Sequence, residues 1–112
     1  MKKKTTSAML LAAGLLWMPN ARATAQSSRG PSMDAIRHGQ QMFGEYCASC
    51  HSARSFSSLA GPGLKGFYST HLPRPSDSAV RAIIARGKGN MPGFGNLSAV
   101  QIDELIAYLK TL

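Results

Sequence analysis

An all-α domain of about three helices joined by long loops is the fold this sequence predicts. Three observations carry that expectation. Apolar residues recur at spacings of three and four in three separate stretches, the first and last opened by a serine suited to an N-cap. No stretch reads as strand and no internal repeat is visible. Glycine and proline gather in two intervening segments, Ser52 to Pro75 and Gly87 to Gly93, which read as loops.

The first helix should begin at Ser32, with Asp34 in its first turn where the helix dipole favours an acid. Ile36, Gly39, Phe43 and Cys47 then form one buried stripe. From Ser52 to Pro75 the chain should be mostly loop, punctuated by Gly61, Pro62, Gly63, Gly66, Pro73 and Pro75. The second helix fits Ser76 to Arg86, with Val80, Ile83 and Ile84 inward and Gly87 as its terminator. The last helix has the clearest signals. Ser98 and Gln101 make a capping box, and Leu97 and Ile102 a hydrophobic staple. Ile102, Leu105, Ile106 and Leu109 make its apolar face, with Asp103 and Glu104 expected near the positive end of the dipole.

Residues 1–23 read as a cleaved secretory signal peptide. Lys2, Lys3 and Lys4 form the basic start, and Ser7 to Met18 an apolar run of 12 residues. Ala21-Arg22-Ala23 supplies small residues where a signal peptidase inspects them; cleavage after Ala25 is the alternative. A membrane span needs about 20 apolar residues, and Pro19 and Asn20 end this run too early. Residues 24–32 are polar and unpatterned, a flexible tether, and 33–112 form one small domain. The expected location is therefore the periplasm or the exterior. Cleavage removes four of the 13 basic residues and none of the 5 acids, so the formal +8 falls to +4. The remainder has no dense basic run with interleaved aromatics, which argues against nucleic acid as a partner.

Cys47-Ala48-Ser49-Cys50-His51 is a C-x-x-C-H pattern. Two thiols at this spacing can add to the two vinyl groups of a haem, and the histidine that follows can ligate its iron. Competing chemistries are poorly served. Two cysteines cannot build a zinc site that needs three or four thiolates. A site of two cysteines and two histidines would need His51 with His38 or His71, at spacings unlike a zinc finger. A thioredoxin-like pair would require a βαβ setting that is missing. One haem c, covalent through Cys47 and Cys50 and ligated by His51, is the expected cofactor. For the opposite side of the iron, Met91 is the first candidate, because it sits 40 residues beyond His51 in a glycine- and proline-rich loop. Met42 is on the same short helix as Cys47, and Met33 lies near that helix's start. His71 is the rival ligand, and an open position the third possibility. Asn90 is a candidate donor to the Met91 sulfur, and His38 should face solvent.

In this order and spacing, residues 33–112 resemble the class I, mono-haem cytochrome c family. The parts that match are the helix with Gly39 and Phe43 leading into Cys47–His51, the loop Gly61-Pro62-Gly63-Leu64-Lys65-Gly66, the Met91-Pro92 loop and the terminal helix through Tyr108. The resemblance implies a small cytochrome c fold, wrapped around one haem, in which the first and last helices cross at Gly39 against Tyr108. It implies that the Pro62 carbonyl accepts a hydrogen bond from His51, in place of an ordinary turn. The family often holds a haem propionate with tryptophan or tyrosine. Trp17 leaves with the leader, so Tyr68, Arg54 or Arg74 must substitute. The implied function is single-electron transfer with His51/Met91 ligation, not enzymatic turnover. A dedicated subunit of a periplasmic dehydrogenase or oxidase complex is the alternative, and an open-site haem enzyme or gas sensor the third. The segment between His51 and Met91 holds Arg54, Lys65, Arg74, Arg81, Arg86 and Lys88 against Asp77 alone, a positive rim suited to redox partners with an acidic docking face.

Overall fold

Helix α1 runs Met33–Tyr46, and Ser32 caps it by accepting from the Ala35 amide at 3.1 Å. This computed structural model describes Gly14 and residues 30–112, so the expected leader and most of the tether lie outside the described residues. Helix α2 is a single turn, Phe67–Thr70, inside the expected loop. Helix α3 spans Asp77–Arg86 and α4 Ala99–Leu109. Among the described residues there is no strand; one isolated bridge pairs Lys88 with Met91. The domain is all-helical, with four helices where about three were expected.

The extra turn has a local cause. Gly66 adopts φ +67°, open to glycine without a Cβ penalty, and turns the chain into α2. Its carbonyl accepts from the Thr70 and Ser69 hydroxyls at 2.8 and 3.2 Å, so side chains supply what four residues of apolar pattern could not. The other boundaries follow from their caps. Ser76 accepts from the Ala79 amide at 3.1 Å, and Gly87 closes α3 at φ +79° with its amide on the Ile83 carbonyl. The Ser98/Gln101 capping box forms in both directions, at 3.2 and 2.8 Å.

The core comprises Phe43 from α1, Val80 and Ile84 from α3, Leu97, and Ile102, Leu105, Ile106 and Leu109 from α4. No polar or charged side chain is buried among the described residues. Leu97 and Ile102 are both in this cluster, as the staple requires. Ile83 is not; it is half-buried and faces an open depression beside Ala79 and Ala82. One face of a ten-residue helix has room for Val80 and Ile84 at the core, and Ile83 falls to its edge.

Helices α1 and α4 cross at Gly39. A Cβ there would lie 2.6 Å from the Glu104 carbonyl carbon and 2.9 Å from Tyr108 Cβ. The close approach is therefore chiefly to the backbone of Glu104. The Tyr108 ring instead meets Phe43, centroids 5.4 Å apart and tilted by 59°. Asp103 and Glu104 also differ from expectation. They lie beyond the first turn of α4, which holds no acid. Asp103 pairs with Arg81 of α3, and Glu104 with His38 of α1 at 3.2 Å, so both tie α4 to its neighbours. Lys110 reaches Asp77 at 2.6 Å. These pairs are partly exposed, and each is worth only about 0–1 kcal/mol; apolar burial decides the packing.

Candidate functional site

Cys47 is the C-cap residue of α1, so the helix delivers the motif directly. The amides of Cys50 and His51 both return to the Cys47 carbonyl, at 3.1 and 2.9 Å, making a turn that fixes the relation of two half-buried thiols to the imidazole. Burial, and then the neighbouring Cys50, push the Cys47 thiol up to about 11. A dithiol redox pair needs a thiolate near neutral pH, and this environment opposes one.

The segment after the motif folds back over it. The Gly61 amide donates to the Cys50 carbonyl at 2.8 Å, and that of Leu64 to Ser52 at 2.7 Å. Pro62 is then placed so that its carbonyl lies 2.8 Å from His51 Nδ1. A carbonyl can only accept, so Nδ1 carries a proton, and in the neutral ring the lone pair is on Nε2. Gly61 lies against the ring itself: a Cβ there would stand 2.5 Å from His51 Cε1 and 2.9 Å from Nδ1. The glycine is needed for close approach.

Met91 is half-buried in a tight turn. Its amide and carbonyl exchange hydrogen bonds with Lys88 at 3.0 and 3.1 Å, with Gly87 and Gly89 both at positive φ. The Phe94 amide donates to the Ile84 carbonyl at 2.8 Å, anchoring the loop to α3. Phe94 also meets Tyr46 edge-on at 5.9 Å; its place beside Met91-Pro92-Gly93 was the available signal for that packing. Asn90 is exposed. Met33 is 74% exposed, and Met42 is half-buried on α1. His71 is exposed at the end of α2, its ring 5.3 Å from that of Phe67. His38 is exposed as expected, though bonded to Glu104.

Tyr68 and Arg74 line an open depression of about 400 Å³ with Asp77 and Lys110, whereas Arg54 is exposed on the loop after His51. The Tyr68 hydroxyl is buried without a hydrogen-bond partner. Burial, and next the Asp77 carboxylate, hold its pKa well above the ordinary value. The Lys110 ammonium lies 5.5 Å from the centroid of this ring, a contact no sequence spacing announces.

These donors suit a c-type haem. A free imidazole Nε2, fixed by the Nδ1 bond, is a ligand with its tautomer already chosen. Two thiols stand in the turn leading to it, and a thioether is held in a second constrained loop. No group of three or more His, Cys, Asp or Glu side chains is arranged for a metal ion among the described residues.

Comparison with known proteins adds independent support. Cytochrome c6 of Cyanidium caldarium is 28% identical over 74 residues, covering 66% of this chain and 68% of that protein. Residues 34–109, from α1 to the end of α4 and including both Cys47–His51 and Met91, match the family described as cytochrome c oxidase, cbb3-type, subunit III. The chain belongs to that family of cytochrome c domains.

Proposed function

We propose that this chain is an exported mono-haem electron carrier, with the haem attached through Cys47 and Cys50 and its iron held by His51 and Met91. The observation that carries the reading is the 2.8 Å bond from His51 Nδ1 to the Pro62 carbonyl. It orients the imidazole, raises its basicity and leaves Nε2 as the ligand. A haem iron supplies the one-electron ferric/ferrous couple when bound. The residues do the rest. His51 and Met91 would both ligate the iron, leaving no role for a substrate there, and a thioether ligand beside an imidazole would favour the reduced state.

Family membership supports electron transport in place of enzymatic turnover. The remaining parts of the reading rest on the sequence: a signal peptide over 1–23, a tether over 24–32, a domain over 33–112 and a periplasmic location. Among the described residues no helix is long and apolar enough to cross a membrane. The family's description names an oxidase subunit, which favours, as second reading, a cytochrome component working with a terminal oxidase.

Production in a host that attaches haem, followed by denaturing electrophoresis, tests the attachment. Peroxidase staining should survive denaturation, and the mass should exceed that of the processed chain by one haem. The ferric protein should show the weak red absorption of a sulfur–iron bond, lost in Met91→Ala. Rapid carbon monoxide binding by the unaltered ferrous protein would defeat the carrier reading.

A further inference from the structure

The charged side chains are unevenly engaged. Asp34, Asp77, Asp103 and Glu104 are held by Arg37, Lys110, Arg81 and His38. Among the described residues that leaves Glu45 as the one Asp or Glu side chain outside these four contacts. Arg54, Lys65, Arg74, Arg86 and Lys88 are cations without a carboxylate.

Two of those cations accompany an apolar surface that packing does not explain: Lys65 lies against it, and Arg54 precedes Phe56 by two residues in the chain. In the segment following His51, Phe56 is 65% and Leu59 58% exposed. This segment is not a slack loop. The Ser57 amide donates to Ser55 Oγ at 2.9 Å, and that of Leu59 to the Gly61 carbonyl at 2.9 Å. A Cβ on Gly63 would stand 2.6 Å from the Phe56 carbonyl carbon, so the returning chain is packed against it. The Lys65 ammonium lies 5.2 Å from the Phe56 ring centroid. An aromatic and an aliphatic side chain, pre-ordered in water beside free cations, have the composition of an interface anchor. The same backbone continues into Gly61 and Pro62, which hold His51.

We propose that Phe56 and Leu59, with Arg54 and Lys65 beside them, are the face on which this chain docks a redox protein whose matching surface is an apolar depression edged by carboxylates. The proposal rests on the electron-carrier reading above. Charge selects the occupant: a second copy of this chain would offer Glu45 as its only described Asp or Glu outside a contact with a basic side chain, and otherwise meet cation with cation. An anionic membrane would need more apolar surface than two loop side chains without an amphipathic helix behind them.

The test uses the haem-loaded protein on gold carrying mixed carboxylate- and methyl-terminated alkanethiols, read by voltammetry. Phe56→Ser with Leu59→Ser should slow interfacial electron transfer about tenfold, with the absorption spectrum and midpoint potential unchanged. Arg54→Glu with Lys65→Glu should weaken adsorption, and Arg86→Glu should not. An unchanged rate in the double serine variant overturns the proposal. Equal loss from Arg86→Glu also overturns it, reducing the effect to net charge. Sedimentation with phosphatidylglycerol vesicles that depends on Phe56 and Leu59 overturns it in favour of a lipid surface. No reversible wave from the unaltered protein overturns the carrier reading with it.

Discussion

Gly39→Ala opposes two effects of known sign, and the structure says which prevails. Glycine inside a helix costs roughly 1 kcal/mol relative to alanine, so propensity alone predicts stabilisation. At Gly39 the added methyl would meet the Glu104 carbonyl group and Tyr108 Cβ, the latter at 2.9 Å. The obstructing Glu104 atoms are backbone in a packed helix and cannot rotate aside. The crossing of α1 and α4 must open, at an overpacking cost of about 1–3 kcal/mol. The net expectation is destabilisation by about 0–2 kcal/mol, against a total stability of roughly 5–15 kcal/mol. Gly44, on the same helix, is exposed, and a Cβ added there would have nothing within 4 Å. Gly44→Ala should therefore show propensity alone and gain about 0.5–1 kcal/mol. The variants should separate by about 2 kcal/mol, on the order of 10 °C in unfolding midpoint for a domain of this size. Thermal and guanidinium unfolding followed by far-ultraviolet circular dichroism would measure both. Equal stabilisation by the two substitutions would refute the close crossing.

Gly61→Ala should displace the His51 ring, seen as a changed Nδ1 proton signal in NMR and a shifted midpoint potential; Pro62→Ala should change both far less, because the backbone carbonyl is retained. Tyr68→Phe should be neutral or stabilising, since it deletes a buried hydroxyl without a partner. It should also flatten the alkaline limb of the stability–pH profile. Burial and Asp77 raise the Tyr68 hydroxyl above 10.0 in the fold, so the unfolded chain loses that proton first and stability falls as pH climbs past about 10. Leu105→Ala, at 1% exposure the most deeply buried apolar side chain among the described residues, should cost about 2–5 kcal/mol in chemical unfolding.

The legible parts of this chain were those governed by neighbours in sequence. Ser32 and Ser98 cap α1 and α4 and Gly87 closes α3 as expected, because a cap is a contact across three or four residues; Ser76, expected as the first residue of its helix, caps α3 instead. The placement of Asp103 and Glu104 was not legible. Their partners Arg81 and His38 lie 22 and 66 residues away, and dipole arguments see only the helix they stand on. Helix α2 was not legible either, because its stability comes from hydroxyls returning to Gly66 and not from an apolar period.

By itself the sequence determined the chemistry on offer: two thiols and an imidazole at C-x-x-C-H, a thioether in a second loop, and an all-helical scaffold of amphipathic segments. It did so because thiol spacing, capping and helical periodicity are properties of adjacent residues. The tertiary structure supplied the 2.8 Å approach of the Pro62 carbonyl to Nδ1 that the family resemblance implied, and it alone decided that Gly61 lies against the imidazole and that Gly39 meets the Glu104 backbone more closely than it meets an aromatic ring. Those outcomes depend on how separate segments approach in space, where one Cβ more or less decides the distance. The same holds for which charges remain unpaired and which apolar side chains stay in water, since both follow from what the assembled helices leave over.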